Sequence, residues 1–516
     1  MSGLTQDLID DLIKDLPTFK ENVTKFFNKE IQVAQFKGLS GPFGSYAERG
    51  AESAMFRMRF QSGRIKHEQL AFLADAIRRH DLHHLHFTTG QCIQVHGISG
   101  DTVTKLFAEC HANGIYSRGA GGDHPRNLAA TPTFGITDNE MFDISPYVKA
   151  ANEYALSLVL TLKLPRKYKI ALSSGYDNQT HVTFKDLGFR AKENGTFDVY
   201  AAGGLGPNPR LGVHVASDVN PGDILYHIHA MGQLFSEHGD YTSRAKARTR
   251  YIPARLGDDA FKTLYNEYLK KSFETQDLHF VPETYTVDKT GSDAPAPNHP
   301  RIHAQKQPGL CYVSYHPIGG DPSREELLTL LDTLSGIKAG EIRLTSKEGA
   351  LIINLTAEEA LHIAKLTENT AGNAFEDSLT CVGATVCQSG LQDSHGLLVS
   401  LIDAVKAAGI DASVLPSVIV SGCPSSCAAQ QVGTVGLQGH VKVVDKAPRA
   451  AFAIFEGGSE LFGTETFGGQ VGIVTVESLP QLFVDLAKLL NERKQDFKAW
   501  RAEQPDAFKS FVERYV

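Results

Sequence analysis

The chain of 516 residues contains no run of 18 apolar residues, so no helix is expected to cross a membrane. Its opening stretch, MSGLTQDLIDDLIKDLPTFKENVTKFF, is acidic and amphipathic and lacks the continuous apolar core of a secretory leader. Sulfur is scarce. The seven cysteines are odd in number and four of them are clustered, which excludes a secreted disulfide framework and makes a reducing cytoplasm the expected compartment. Excess positive charge is missing too: 51 Lys and Arg stand against 59 Asp and Glu, a formal net charge of −8. Phosphate backbones require a cationic footprint, so a general nucleic-acid binder is excluded, while a local basic pocket for a small anion is not. A nucleotide fingerprint is also lacking. GGLGPNP departs from G-x-G-x-x-G and has no strand–helix context, so no flavin or nicotinamide site is expected.

What is present is a soluble-type composition, 42% hydrophobic and 21% charged, over a length that suggests two to four domains. The 47 glycines favour tight turns or close backbone approach to something bulky. Two stretches share a pattern. Residues 55–97 read as an alternating strand, a turn, a helix with the stripe Leu70, Leu73 and Ile77, and two further strands. Residues 310–355 repeat this order, with the stripe Leu327, Leu330, Leu331 and Leu334. Each is a β-α-β-β half of a ferredoxin-like unit, and each precedes a longer mixed segment. The predicted fold class is α+β: two pseudo-symmetric halves, each a ferredoxin-like half unit followed by a larger mixed α/β domain. The expected domains are 1–115, an N-terminal segment plus the first half repeat; 116–295, an α+β binding domain; 300–366, the second half repeat; and 367–516, an α+β domain with the clustered cysteines and C-terminal helices. The stretch 289–309, KTGSDAPAPNHPRIHAQKQPG, reads as a linker. From Leu479 onward a helix pair is expected, broken near Pro505.

The cysteines carry the sharpest signal. CVGATVC holds Cys381 and Cys387, and SGCPSSC holds Cys423 and Cys427. Four thiolates from two short loops make a sulfur cage that suits zinc or an iron–sulfur cluster. Structural zinc sites usually space their ligands by two to four residues, so the five-residue gap of the first pair fits better around a cluster. Inert buried thiols or a disulfide remain the bland reading. Pro424 stiffens the second turn, and the neighbouring glycine and serines offer hydrogen-bond donors that tune a cluster.

Basic residues form the second constellation. FRMRF sets Phe56, Met58 and Phe60 against Arg57 and Arg59; LPRKYKIAL sets Lys167 and Lys169 on one face; Arg126 lies in the glycine-rich turn GGDHPRN. Singly, such charges are solvated or guard an edge strand. Together they would line a cationic pocket for a small oxyanion, with the lysines able to deliver protons. The histidines of RRHDLHHLHF (His80, His83, His84, His86) read as a helix end and strand start rather than a metal site.

The blocks FRMRFQSG, TTGQCIQVHG, DHPRN, LPRKYKIA, AAGGLGPNP, CVGATVC and SGCPSSCAAQQVGTVGLQG, in this order, resemble the sirohaem-dependent sulfite and nitrite reductases, from about residue 40 to the end. The resemblance implies that Cys381, Cys387, Cys423 and Cys427 hold a [4Fe–4S] cluster and that Cys427 is also the axial ligand of the sirohaem iron. It implies that Arg57, Arg126, Lys167 and Lys169 bind the anion. Gln91, Gln94, His96 and Asn127 would approach the macrocycle, and Gly203, Gly204 and Gly206 would let backbone amides meet its carboxylates. The implied reaction is the six-electron reduction of sulfite to sulfide, with nitrite to ammonia as the alternative. Electrons would come from ferredoxin or a separate flavoprotein. Lysine at 169, where plant-type nitrite reductases have asparagine, favours sulfite. A non-catalytic iron–sulfur electron-transfer protein and a zinc-stabilised protein are rival readings. Two positions depart from the family pattern: Gly90 replaces an arginine, and Thr131 a cysteine found in several relatives.

Overall fold

The computed structural model describes residues 4–282, 286–292 and 295–516. No described helix is long and apolar enough to cross a membrane. The chain forms two compact units, Met1–Gly204 with Arg210–Tyr315 and Pro322–Glu368, and Leu205–Pro209 with His316–Asp321 and Asn369–Val516.

In the first unit, β1 (Ser45–Ala47), β2 (Ala54–Arg59), β4 (His84–Phe87) and β5 (Cys92–Ile98) make an antiparallel sheet ordered β1-β2-β5-β4, while β3 (Arg64–Ile65) leaves it. Next come β6 (Ala129–Ala130), β7 (Ile170–Ser173), β8 (Leu187–Ala191), β9 (Phe197–Ala201) and β10 (Val213–Val219), ordered β10-β9-β8-β7-β6. The second repeat supplies β11 (Ile302–Ala304), β12 (Cys311–Tyr315), β13 (Glu341–Leu344) and β14 (Ala350–Leu355), and its sheet, β11-β12-β14-β13-β3, borrows β3 from the first. The order β2-β5-β4 thus recurs as β12-β14-β13. The helices His67–Arg79 and Arg324–Ser335 bury the stripes read from the sequence, and both stripes lie in one apolar core. Leucine and isoleucine at i, i+3, i+4 put that stripe on a single face, which is why each helix lies flat on its sheet. Arg343, fully buried, ties this core to the next segment: it donates to the Pro132 carbonyl (3.2 Å), to that of Phe134 and to Glu341 (3.1 Å).

The second unit holds β15 (Leu379–Thr380), β16 (Val418–Ser421), β17 (Val435–Val444), β18 (Ala447–Glu456) and β19 (Gly469–Thr475), in that spatial order. Its first three strands are parallel and its last two antiparallel. The β6–β10 sheet has the same pattern. Corresponding helices, Ser145–Thr161 and Ser394–Ala407, join the first two strands of each sheet. The α+β architecture of two like-built halves is therefore the observed one.

Two local readings change. The stretch 289–309 is more than a linker: Ile302–Ala304 pairs with β12, and the buried Lys289 ammonium donates to Asn354 O (2.7 Å) and Glu359 (2.6 Å). Residues 293 and 294 of that stretch lie outside the described residues. The C-terminal segment is three helices, Leu479–Arg493, Phe497–Glu503 and Ala507–Val512, with a first break at Lys494 in the left-handed conformation.

Candidate functional site

In the first unit, strand alternation places Phe56 and Met58 in the core and Arg57 and Arg59 on the opposite face of β2. Arg57 donates through Nη1 to the Ala120 carbonyl (2.8 Å) and through Nη2 to Gln94 Oε1 (3.3 Å). Arg126 donates to the same Ala120 carbonyl (3.0 Å) and to that of Gly122 (2.7 Å). One carbonyl thus holds two guanidinium groups side by side. Residues 124–126 run parallel to 167–169 through a Pro125–Tyr168 bridge, with Tyr168 N donating to His124 O (3.1 Å) and Arg126 N to Tyr168 O (2.9 Å). Pro125 and Tyr168 are buried, so alternation puts Arg126, Lys167 and Lys169 on the other side together. The structure thus brings Arg57 and Arg126 together on one carbonyl, and strand alternation puts Lys167 and Lys169 on the Arg126 side of the adjoining segment.

Electrostatics mark this face. Burial, opposed by Tyr46 and reinforced by Arg57, brings Arg126 down to about 10. Burial likewise lowers Arg59 to about 10 and, with Arg118 and Arg126 adding to it, His124 to about 4. The Tyr46 hydroxyl, which burial would raise, is held below its ordinary value by Arg126, the Gly122 N–H and Arg57. The lowered Tyr46 hydroxyl, shifted against its burial, reports the local positive charge, and such a site favours an anion.

Buried polar residues stand behind these positions. Arg59 donates to the carbonyls of Arg118 (3.3 Å), Pro125 (3.2 Å) and Arg126 (3.1 Å) and so locks the turn that presents Arg126. Asp186, fully buried, accepts from Lys169 N (2.8 Å), Arg248 Nη2 (2.8 Å) and the Thr249 hydroxyl. Glu48 accepts from His96 Nδ1 (2.7 Å), Gly97 N (3.0 Å) and Ser53 Oγ (2.6 Å). Arg250 is buried, and its Nε and Nη1 have no hydrogen-bond partner among the described residues. The dense basic run RAKARTR (244–250) was the available signal for Arg248 and Arg250.

The residues expected near a macrocycle divide. Gln94 and His96 lie on the Arg57 face of β5, and buried His96 Nε2 has no hydrogen-bond partner among the described residues. Asn127 donates to the Gly90 and Gln91 carbonyls (3.1 and 3.0 Å) and leaves Oδ1 buried and unpaired. Gln91 is fully buried, and its amide is spent on Ala130 N and O and Leu344 O, a structural use. The glycine amides are engaged as well: Gly203 N with Lys185 O (2.8 Å), Gly204 N with Arg210 O (2.9 Å) and Gly206 N with Gln431 Oε1 (2.9 Å). These glycines supply room rather than donors. A Cβ at Gly203 would stand 2.9 Å from backbone atoms, and one at Gly204 would stand 3.2 Å from Arg250 Nη1. Buried donors at Arg126 Nε and Arg250 without a hydrogen-bond partner among the described residues fit a carboxylate-bearing ligand.

In the second unit, the loops after β15 and β16 bring the four cysteines together. Cys423 is buried, Cys381 and Cys387 are half-buried and Cys427 is exposed; none is in a disulfide. Burial first, then Cys427, pushes the Cys381 thiol up to about 12; burial, then Cys427 and Cys423, raises Cys387. As thiolates they repel one another, so the quartet calls for a bound cationic metal centre. Donors already surround the sulfurs: Gly422 N reaches Cys381 Sγ at 3.2 Å, Ser394 Oγ lies 3.2 Å from it, and the Ser389 and Gly390 amides lower Cys387. Such N–H···S bonds suit an iron–sulfur cluster. Among the described residues no three His, Cys, Asp or Glu close on a single ion.

The first unit repeats this loop pair without sulfur. Thr131 follows β6 as Cys381 follows β15, and Ser174 N donates to Thr131 Oγ1 (3.1 Å) as Gly422 N does to Cys381 Sγ. The loop framework is shared, and only the second copy carries thiols.

Two family descriptions match the chain. "Nitrite/Sulfite reductase ferredoxin-like half domain" matches residues 46–113, and "Nitrite and sulphite reductase 4Fe-4S domain" matches residues 121–273. The second match lies on the first of the two like-built sheets; the cysteine quartet sits on the other. The ferredoxin–nitrite reductase of Synechococcus elongatus is 26% identical over 85% of this chain and 86% of that protein. Sulfite reductase [ferredoxin] 1 of Mycolicibacterium paratuberculosis is 28% identical over 67% of this chain and 62% of that protein. The solved structure of the Mycobacterium tuberculosis NirA protein shares the fold, with a TM-score of 0.74, 21% identity, and coverage of 93% of this chain and 92% of that one. With both domain types matched in order, and with basic and sulfur constellations to go with them, the chain carries the domain pair of the nitrite and sulfite reductases, oxidoreductases that work with sirohaem and a [4Fe–4S] cluster.

Proposed function

We propose that the chain reduces sulfite to sulfide, taking six electrons from a separate ferredoxin-type carrier. The observation that supports this reading is that Arg57 and Arg126 share the Ala120 carbonyl, with the segment bearing Lys167 and Lys169 paired to the one bearing Arg126. Four cations suit a compact dianion, and the second lysine adds charge that a monoanion needs less. Cys381, Cys387, Cys423 and Cys427 would hold the cluster, and the exposed Cys427 would also serve to hold the sirohaem. When bound, these cofactors supply the electrons and the iron at which the oxyanion is reduced. The chain's own part is to hold the anion and to feed protons. Arg57 and Arg126 keep N–H groups beyond those spent on carbonyls and orient the oxygens through them. Lys167 and Lys169 carry protons at Nζ that can pass to oxygens leaving as water. Glu48 holds the His96 ring through Nδ1, so that Nε2 would be left for the bound ligand.

Nitrite, reduced to ammonia, is the second reading, favoured by the likeness to the Synechococcus elongatus ferredoxin–nitrite reductase. Purified protein should show porphyrinoid absorption with more than four irons per chain. Steady-state turnover with reduced methyl viologen should give a higher kcat/KM for sulfite than for nitrite. A preparation without the pigment, made with sirohaem biosynthesis supplied, would count against the reaction; a reversed preference would assign nitrite.

A further inference from the structure

Strands β17 and β18 pair over ten residues, but their neighbours do not follow them out. Strand β16 pairs with Val435–Gln438 only, and β19 pairs with β18 from Ala451 onward. Residues 439–450 therefore project as a two-stranded ribbon. A two-stranded ribbon alone is marginal in water, and this one is built against its own stability in three ways. Lys442 lies directly opposite Arg449, a like-charge cross-strand pair. The turn residues Asp445 and Lys446 both have positive φ, 50° and 65°, where glycine or asparagine is the easy choice and lysine is strained. On the opposite face Val441 and Val443 are 47% and 71% exposed, opposite Ala450 and Pro448. Among the described residues Lys442, Lys446 and Arg449 form no ion pair. Cations guarding an edge would explain one lysine, but they do not explain the exposed valines or the strained turn.

The base of the ribbon is built into the cysteine loops. A Cβ at Gly439 would stand 2.1 Å from the Gly422 carbonyl, so the ribbon backbone lies directly on the peptide before Cys423. That carbonyl accepts from Leu391 N (2.9 Å) and Gln392 N (3.0 Å) in the other loop, and Gln392 Nε2 donates to His440 O (2.7 Å). Lys442 is three residues farther along, about 10 Å at strand rise.

Resting on the electron-carrier reading above, we propose that this ribbon is the docking surface for an acidic one-electron carrier protein. The cations steer an acidic partner to a −8 chain that would otherwise repel it. The valine face supplies a dry contact, and the hydrogen-bonded base ends at the cysteine loops. A second copy of this chain is the competing occupant, and three unpaired cations on the ribbon disfavour symmetric pairing of ribbon with ribbon.

The test compares the holoenzyme with Lys442→Gln/Arg449→Gln and Lys442→Glu/Arg449→Glu variants. Turnover is driven either by reduced methyl viologen or by a reduced, acidic [2Fe–2S] ferredoxin, and ferredoxin binding is followed separately by calorimetry at low salt. Expected are unchanged viologen-driven rates and, for the charge reversal, a rise of about tenfold in the ferredoxin KM and Kd with a flatter salt dependence. The neutral variant should unfold at a higher temperature, because the like-charge pair is gone, and yet bind ferredoxin more weakly. Unchanged ferredoxin affinity in both variants would overturn the docking surface and leave the reaction standing. Absence of viologen-driven turnover in the wild type would overturn the reaction while calorimetry still reads the surface. A dimer in sedimentation that the variants dissolve, with ferredoxin binding intact, would assign the ribbon to self-association and overturn the proposal.

Discussion

Replacing Lys169 by asparagine isolates one charge on the basic face. The backbone there is held independently of the side chain: Lys169 N donates to Asp186 Oδ2 (2.8 Å), and Leu187 N donates to Lys169 O (3.2 Å). The variant should keep its strand and lose only the ammonium. At about 4 Å and an effective dielectric of about 20, one unit charge is worth up to about 4 kcal/mol, and charge-assisted hydrogen bonds measure about 1.5–3 kcal/mol. The asparagine amide returns part of the bond. A net loss of about 2 kcal/mol for a dianion is a fall of about 30-fold in kcat/KM; for a monoanion, about 1 kcal/mol gives about fivefold. The sulfite-to-nitrite ratio should therefore move about fivefold toward nitrite, read by viologen-driven assays of both substrates on the same preparation. Equal losses for both anions would refute the argument that Lys169 discriminates by charge.

Gly90 is exposed, and a Cβ there would meet only Thr88 Oγ1, at 3.6 Å. Gly90→Arg should thus fold normally and retain sirohaem through gel filtration better than the wild type, by about tenfold in dissociation constant if one charge-assisted bond forms. Gly439→Ala should cost about 1–3 kcal/mol or more, since the added carbon meets a backbone carbonyl, and should lower iron content together with the thermal midpoint. Burial depresses the His227 imidazole to about 4. Its folded value lies below that of the unfolded chain, so its contribution is intact above about pH 6.5 and is lost as pH falls toward 4. From pH 7 to 5 urea titration should show a loss of about 2 kcal/mol that His227→Gln removes.

The four cysteines could be read from the chain because their chemistry is local: two short loops, each carrying its own pair, with turn residues built in. The helix stripes Leu70–Ile77 and Leu327–Leu334 were equally legible, since burial on one face imposes a period that survives without partners. The four cations were legible as candidates only. Nothing in FRMRF, DHPRN and LPRKYK says that Arg57 and Arg126 share the Ala120 carbonyl, or that residues 124–126 pair with 167–169. Gln91 shows the opposite failure, a polar residue in a functional block whose amide is consumed inside the fold. Sequence by itself determined the periodic elements, the repeat and the sulfur quartet, because each follows from neighbours within a few residues. Tertiary structure alone decided which charges converge, that β3 crosses into the second repeat's sheet, and that Glu48, Arg59 and Asp186 stand behind the site. Those facts depend on pairings between residues far apart in the chain, which local pattern does not encode.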